Sequence, residues 1–224
     1  MKSQLPNTDT LREIEFLCGR RRLGGCLGVP ASARGLVIFS HGSGSGRHSP
    51  RNQFVAGVLR EHGLATFLVD LLEQQEADDR RKVFDIALLA ERLEAAVGAA
   101  RNQPDCQGLP VGYFGGSTGA AAALVAAAQH PEWVGAVVSR GGRPDLATAQ
   151  LPAVKAPTLL IVGSRDTDVL RLNEYAATEL GCLHRLVVIP GATHLFPEPG
   201  ALAEVAELAA RWFGQYLSRR TASS

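Results

Sequence analysis

Ser117 stands in Val111-Gly112-Tyr113-Phe114-Gly115-Gly116-Ser117-Thr118-Gly119, a short apolar run that passes through a glycine-framed turn into alanines from Ala120 onward. Gly115 to Gly119 fits G-x-S-x-G, in which a serine occupies the apex of a strained strand-to-helix turn. The outer glycines are needed because side chains there would collide as strand and helix pack together. The apex is also a helix N-terminus, where free N–H groups favour negative charge. A serine hydroxyl is a poor nucleophile at neutral pH. It needs a base within hydrogen-bond reach, and the base needs an orienting acid. His194, in the glycine-containing loop Pro190-Gly191-Ala192-Thr193-His194, is the expected base. Asp166, in Gly163-Ser164-Arg165-Asp166, is the expected acid because it lies nearer the preceding apolar run than Asp168. Asp168 reads as the N-cap of a helix beginning at Val169. Asp145 is a third candidate acid.

A second glycine-dense loop, His41-Gly42-Ser43-Gly44-Ser45-Gly46, leaves another apolar run. Such a loop brings backbone N–H groups close to a ligand, which suits half of an oxyanion hole. It lacks G-x-x-x-x-G-K-[ST] and a strict G-x-G-x-x-G, so phosphate binding of those types is disfavoured. His41, Gly42 and Gly44 are candidate substrate-binding residues, with His41 also suited to holding the loop. Arg140 and Arg143, after a later run, are placed to meet an anionic substrate. His48, His62, His130 and His184 read as cap or surface positions.

The elements that must position these groups follow from hydrophobic periodicity. Ile14–Cys18 and Leu23–Val29 read as an N-terminal antiparallel hairpin. Gly35–Ser40, Leu64–Val69, Leu109–Phe114, Val134–Val138, Pro157–Val162 and Arg185–Ile189 are continuous apolar runs, as expected for strands covered on both faces. Between them lie helices. One is opened by Ser49-Pro50 and closed at Gly63; another runs from Val83 to about Arg101 with a stripe of Ile86, Leu89, Leu93, Val97 and Ala100. Others follow Ser117 and Asp168, and Pro199 opens the last. Glu73 to Lys82 is expected to be a charged, exposed connection. The alternation predicts a parallel sheet covered by helices, with ligands bound beyond the C-terminal strand ends. His41, Ser117, Asp166 and His194 all fall at such ends.

Bulk properties fit this reading. The 224 residues are 46% hydrophobic and 20% charged with net charge +1, so neither a nucleic-acid nor a membrane partner is expected. One domain is expected over 1–224, with the hairpin in 1–34 and the core in 35–220. Cys18, Cys26, Cys106 and Cys182 lack metal-like or C-x-x-C spacing and read as reduced, mostly buried thiols. Met1 to Leu11 has no apolar core of a signal peptide, which leads to an expected cytoplasmic location. The basic triplet Arg20-Arg21-Arg22 reads as a solvated strand end or turn.

The order Ser117, Asp166, His194 resembles that of the α/β-hydrolase fold, and the chain is similar to the dienelactone hydrolase-like group within it. The matching pieces are His41-Gly42-Ser43-Gly44, Gly115-Gly116-Ser117-Thr118-Gly119, Gly163-Ser164-Arg165-Asp166 and Gly191-Ala192-Thr193-His194, spread over about residues 35 to 220. The resemblance implies a mostly parallel sheet, and the short Ser139–Ala156 connection leaves no room for a cap domain, so an open, shallow site is expected. The resemblance also implies an acyl-enzyme on Ser117, with His194 as base and then acid and Asp166 orienting it. The implied oxyanion hole is the N–H of Thr118 with that of Ser43. The implied partner is a small-molecule ester, thioester or lactone, with no cofactor and no metal. Dienelactone hydrolase itself carries a cysteine where this chain has Ser117. Acyl transfer or peptide cleavage by the same residues, and ligand binding without catalysis, are the competing readings.

Overall fold

The computed structural model describes residues 10–42 and 44–217. One eight-stranded sheet runs through them. In chain order its strands are β1 (Thr10–Cys18), β2 (Arg21–Val29), β3 (Leu36–Ser40), β4 (Ala65–Val69), β5 (Val111–Gly116), β6 (Val134–Arg140), β7 (Thr158–Gly163) and β8 (His184–Ile189). Their spatial order is β1-β2-β4-β3-β5-β6-β7-β8. The first two strands form the expected antiparallel hairpin, and β2 joins β4 antiparallel. Every other pairing is parallel.

The inner strands β3, β4, β5 and β7 are buried at every position because both faces are covered, while the edge strand β8 is only partly buried. Helices α1 (Pro50–Glu61) and α7 (Ala201–Tyr216) cover one face, where Val37, Phe39, Phe114 and Val138 meet Val55, Leu59, Val205 and Phe213. Helices α4 (Ile86–Arg101) and α5 (Thr118–Gln129) cover the other. The expected α4 stripe is buried, and the small alanines let α5 sit close to the sheet. Helix α6 (Thr167–Glu179) packs on a 3-10 segment, Pro144–Ala153, which fills the connection after β6. Among the described residues no helix is long and apolar enough to cross a membrane.

Four expectations need correction. The segment after β4 is mostly exposed, as expected, but it is not a plain connection: it forms α2 (Gln74–Ala77) and α3 (Arg80–Val83), and α4 starts after them at Ile86. Asp168 is not the N-cap of α6; that position is held by Asp166, because the helix begins two residues earlier than its apolar pattern. Gly200, not Pro199, caps α7. All four cysteines are free thiols, but only Cys106 is fully buried. Ser49 does take the N-cap position of α1, without a side-chain cap bond.

What pins α2 is a charge pair inside the protein. Glu76 is 5% exposed and Arg92 on α4 is 3% exposed. They are joined by Arg92 Nη1–Oε2 at 2.6 Å and Nη2–Oε1 at 3.0 Å, and Lys82 Nζ adds a third bond at 2.6 Å. These bonds hold the Glu76 carboxyl down at about 2, against an ordinary 4.5. The stability tied to this depressed carboxyl is therefore present above about pH 4.5 and lost as pH falls toward 2. Glu76→Gln is expected to cost on the order of 3 kcal/mol at pH 7, since it leaves Arg92 buried without a counter-charge. In urea titrations the gap between wild type and variant should close as pH falls through that window. A gap constant down to pH 2 would refute the assignment.

Candidate active site

Ser117 is where strand β5 turns into helix α5, with φ 50° and ψ −124°. A non-glycine residue with positive φ stores strain of about 1–3 kcal/mol, held here by packing on both sides. Its carbonyl accepts bonds from Ala120 N and Arg143 N, both 3.1 Å. Among the described residues its hydroxyl makes no hydrogen bond, so it is not committed to a structural partner. Thr118 follows as the first residue of α5 and is buried at 2% exposure. Its N–H has no acceptor within the helix.

The strand register brings the other groups to this apex. Gly116 pairs with Arg140, so Ser117 and Gly141 are the first residues beyond neighbouring strand ends. Gly141 has φ 51°, and a Cβ there would lie 3.4 Å from His194 Nδ1. The His194 ring thus stands against the β6 exit. His194 Nδ1 bonds Asp166 Oδ2 at 2.6 Å, leaving Nε2 as the free ring nitrogen. The Asp166 side chain is 16% exposed and makes no cap bond to α6; its carboxylate is given to the imidazole instead. The other two candidate acids meet different partners. Asp168 is 93% exposed with only Arg171 nearby at 3.9 Å. Asp145 is held in a two-pronged pair by Arg143 at 2.8 and 2.7 Å.

The two loops that carry Asp166 and His194 are tied together. Arg165 N bonds Ala192 O at 2.9 Å, and Gly191 N bonds Ser164 Oγ at 2.8 Å. Glu198 Oε1 accepts from Thr193 N at 3.1 Å and from Thr193 Oγ1 at 2.7 Å, closing the turn around His194. Asn173, fully buried on α6, donates to Gly142 O at 3.0 Å and so fixes the β6 exit. Sequence reasoning missed Ser164, Glu198 and Asn173. They bind backbone groups, and no residue pattern marks such partners.

On the opposite side, His41 Nδ1 lies 3.0 Å from Gly42 O, and Leu71 N donates to Nε2 at 3.1 Å. That pattern assigns a neutral imidazole donating from Nδ1. Burial lowers its pKa and keeps it neutral, outweighing the Gly42 carbonyl and Asp70. His41 therefore anchors the glycine loop, although its ring also borders the cavity. Asp70 binds Arg47 through its N–H at 2.8 Å and through its guanidinium. A Cβ at Gly42 would come within 2.7 Å of Ser117 Cβ, so this position must be glycine for the loop to approach the serine. Ser43, expected as an oxyanion donor, lies outside the described residues. A cavity of about 420 Å³ opens beside Thr118 between the loop (His41, Gly42, Gly44) and the α2–α3 segment (Leu72, Asp78, Val83). The two short helices form one wall of this cavity, which reaches Thr118 and Gly42 but is not lined by Ser117, Asp166 or His194. Arg140 is buried beneath the elbow rather than exposed.

Residues 23–218 match the sequence profile of the dienelactone hydrolase family. Two curated proteins from strains of Mycobacterium tuberculosis, provisionally named phosphoribosyl transferases, are 56% identical over 205 residues, covering 92% of this chain and 46% of theirs. The chain thus spans about half the length of the curated relatives it matches. The crystal structure of a dienelactone hydrolase from Anabaena variabilis is 55% identical, with a TM-score of 0.89 over 93% of this chain and 99% of that one. Est1E from Butyrivibrio proteoclasticus, 16% identical, has the same fold, with a TM-score of 0.78 over 91% of this chain and 98% of its own.

Proposed function

The chain belongs to the dienelactone hydrolase family, and on that premise we propose that it is a serine hydrolase cleaving an ester, thioester or lactone of a small molecule. The observation that carries this reading is the 2.6 Å bond from His194 to Asp166, with the His194 ring against Gly141 at the end of the strand beside Ser117. Ser117 Oγ attacks the acyl carbonyl as His194 Nε2 takes its proton. Asp166 holds the ring and stabilises the imidazolium. The tetrahedral oxyanion is met by the Thr118 N–H and one N–H of the His41–Gly44 loop, for which Ser43 is the proposed donor. His194 then protonates the leaving group. Water, deprotonated by His194, releases the acid and restores Ser117. The phosphoribosyl transferase name belongs to proteins about twice this length, and transfer to a non-water acceptor is the alternative it raises.

A fluorophosphonate probe tests the reading directly. The protein is expected to label at one site, mapped to Ser117 by peptide mass spectrometry, and to hydrolyse a short-chain p-nitrophenyl ester. Labelling elsewhere, or none with no turnover, would overturn it. An excess of alcohol or amine acceptor separates hydrolysis from transfer by the product formed.

A further inference from the structure

Arg140 ends β6 with its side chain on the face that carries Ala136 and Val138, the face covered by α1 and α7. It is 8% exposed, and its Nε and Nη1 are enclosed without a hydrogen-bond partner. Its Nη2 lies against Gly116, where an added Cβ would come within 2.8 Å. A side chain in place of Gly116 would press on the guanidinium. Arg143, by contrast, is matched by Asp145. A buried cation lacking both counter-charge and acceptors is costly unless something completes it.

Nothing anionic stands nearby among the described residues; the charged group that acts on Arg140 is another cation, Arg51. Arg51 lies in the first turn of α1, and its Nε is also enclosed without a partner. That turn holds no acidic residue, and the Ser49 side chain makes no cap bond. Two guanidiniums that act on one another, one against the elbow at Gly116 and one in the first turn of α1, therefore stand without a protein anion. Burial and repulsion by Arg51 pull Arg140 down to about 10, which still leaves it charged at neutral pH.

We propose that Arg140 and Arg51 form a dianion subsite beside Ser117, and that the ester hydrolysed there carries a phosphate monoester group. This rests on the hydrolase reading for the reaction, but not for the binding. A dianion matches two guanidiniums, whereas a carboxylate would leave one unmatched. The phosphate is a spectator: the acyl C–O bond breaks, and no P–O bond is made or broken.

The test begins with binding, read by calorimetry with inorganic phosphate and with acetate on wild type, Arg140→Gln and Arg51→Gln. Phosphate is expected to bind wild type at least about tenfold more tightly than acetate, and Arg140→Gln at least about tenfold more weakly than wild type, the scale of one lost charge-assisted contact. Arg51→Gln, in a partly exposed turn, should also weaken phosphate and keeps the test valid if the Arg140 variant fails to fold. Equal phosphate affinity in wild type and the folded variants overturns the proposal. So does acetate binding as tightly as phosphate, which would mean a monoanion site. The second arm compares acetyl glycerol phosphate with glycerol monoacetate. A kcat/KM preference for the phosphorylated ester that falls at least about tenfold in Arg140→Gln supports the proposal; no preference overturns it. Phosphate binding through Arg140 with no hydrolysis of these esters or of the p-nitrophenyl ester, and no fluorophosphonate labelling, would keep the subsite and overturn the hydrolase reading.

Discussion

Ser117→Ala is expected to lower kcat for a short-chain p-nitrophenyl ester by about 10⁴-fold or more, with complete loss of fluorophosphonate labelling. On the proposed mechanism no acyl-enzyme forms without Oγ, and only the proposed oxyanion donors and binding remain to assist water. The fold should survive, because the Ser117 hydroxyl has no structural bond to lose among the described residues, while its backbone contacts to Ala120 and Arg143 are unaffected. Asp166→Asn should fall by about 10³–10⁴, since it loses the carboxylate that fixes the imidazole at 2.6 Å. Asp168→Asn, at a carboxylate that is 93% exposed, should stay near wild type. Stopped-flow or steady-state rates on the three variants decide the matter. Full activity in Ser117→Ala would refute the nucleophile, and equal losses at Asp166 and Asp168 would refute the chosen acid.

Gly119→Ala is expected to be the most damaging small substitution, costing more than about 4 kcal/mol. A Cβ there would overlap the Ser40 carbonyl oxygen and come within 2.6 Å of His41 O. Both are backbone atoms at the end of β3, and neither can swing away as a side-chain tip would. To admit the methyl, α5 must lift from the sheet, which would also displace the Thr118 N–H and the glycine loop. Gly98→Ala is the control. Gly98 lies inside α4 with nothing within 4 Å of an added Cβ, so the change should stabilise by about 0.5–1 kcal/mol. Urea unfolding of both variants reads the contrast. A Gly119→Ala protein within 1 kcal/mol of wild type would show that helix and strand do not meet this closely.

The amino-acid sequence by itself determined the alternation of strands and helices, the hairpin, and the strand ends that carry His41, Ser117, Asp166 and His194. These are encoded locally: apolar runs, stripes at 3-and-4 spacing and glycine-framed turns depend on neighbours within a few residues. The elbow was legible because a positive φ and a close helix–strand contact restrict which residues can flank Ser117. For Asp145, Asp166 and Asp168 the sequence offered a preference for Asp166 by its closeness to the strand end, while tertiary structure supplied the partner each meets: Arg143, His194 or solvent. It alone turned the charged stretch after β4 into a cavity wall, because Glu76 and Arg92, sixteen positions apart, neutralise each other inside the protein. It also buried Arg140, which in sequence is simply a charge at a strand end. Long-range electrostatic pairing leaves no periodic trace along the chain, so the fold and the elbow could be read from the sequence, while the partners of the three aspartates, the wall and the buried cation could not.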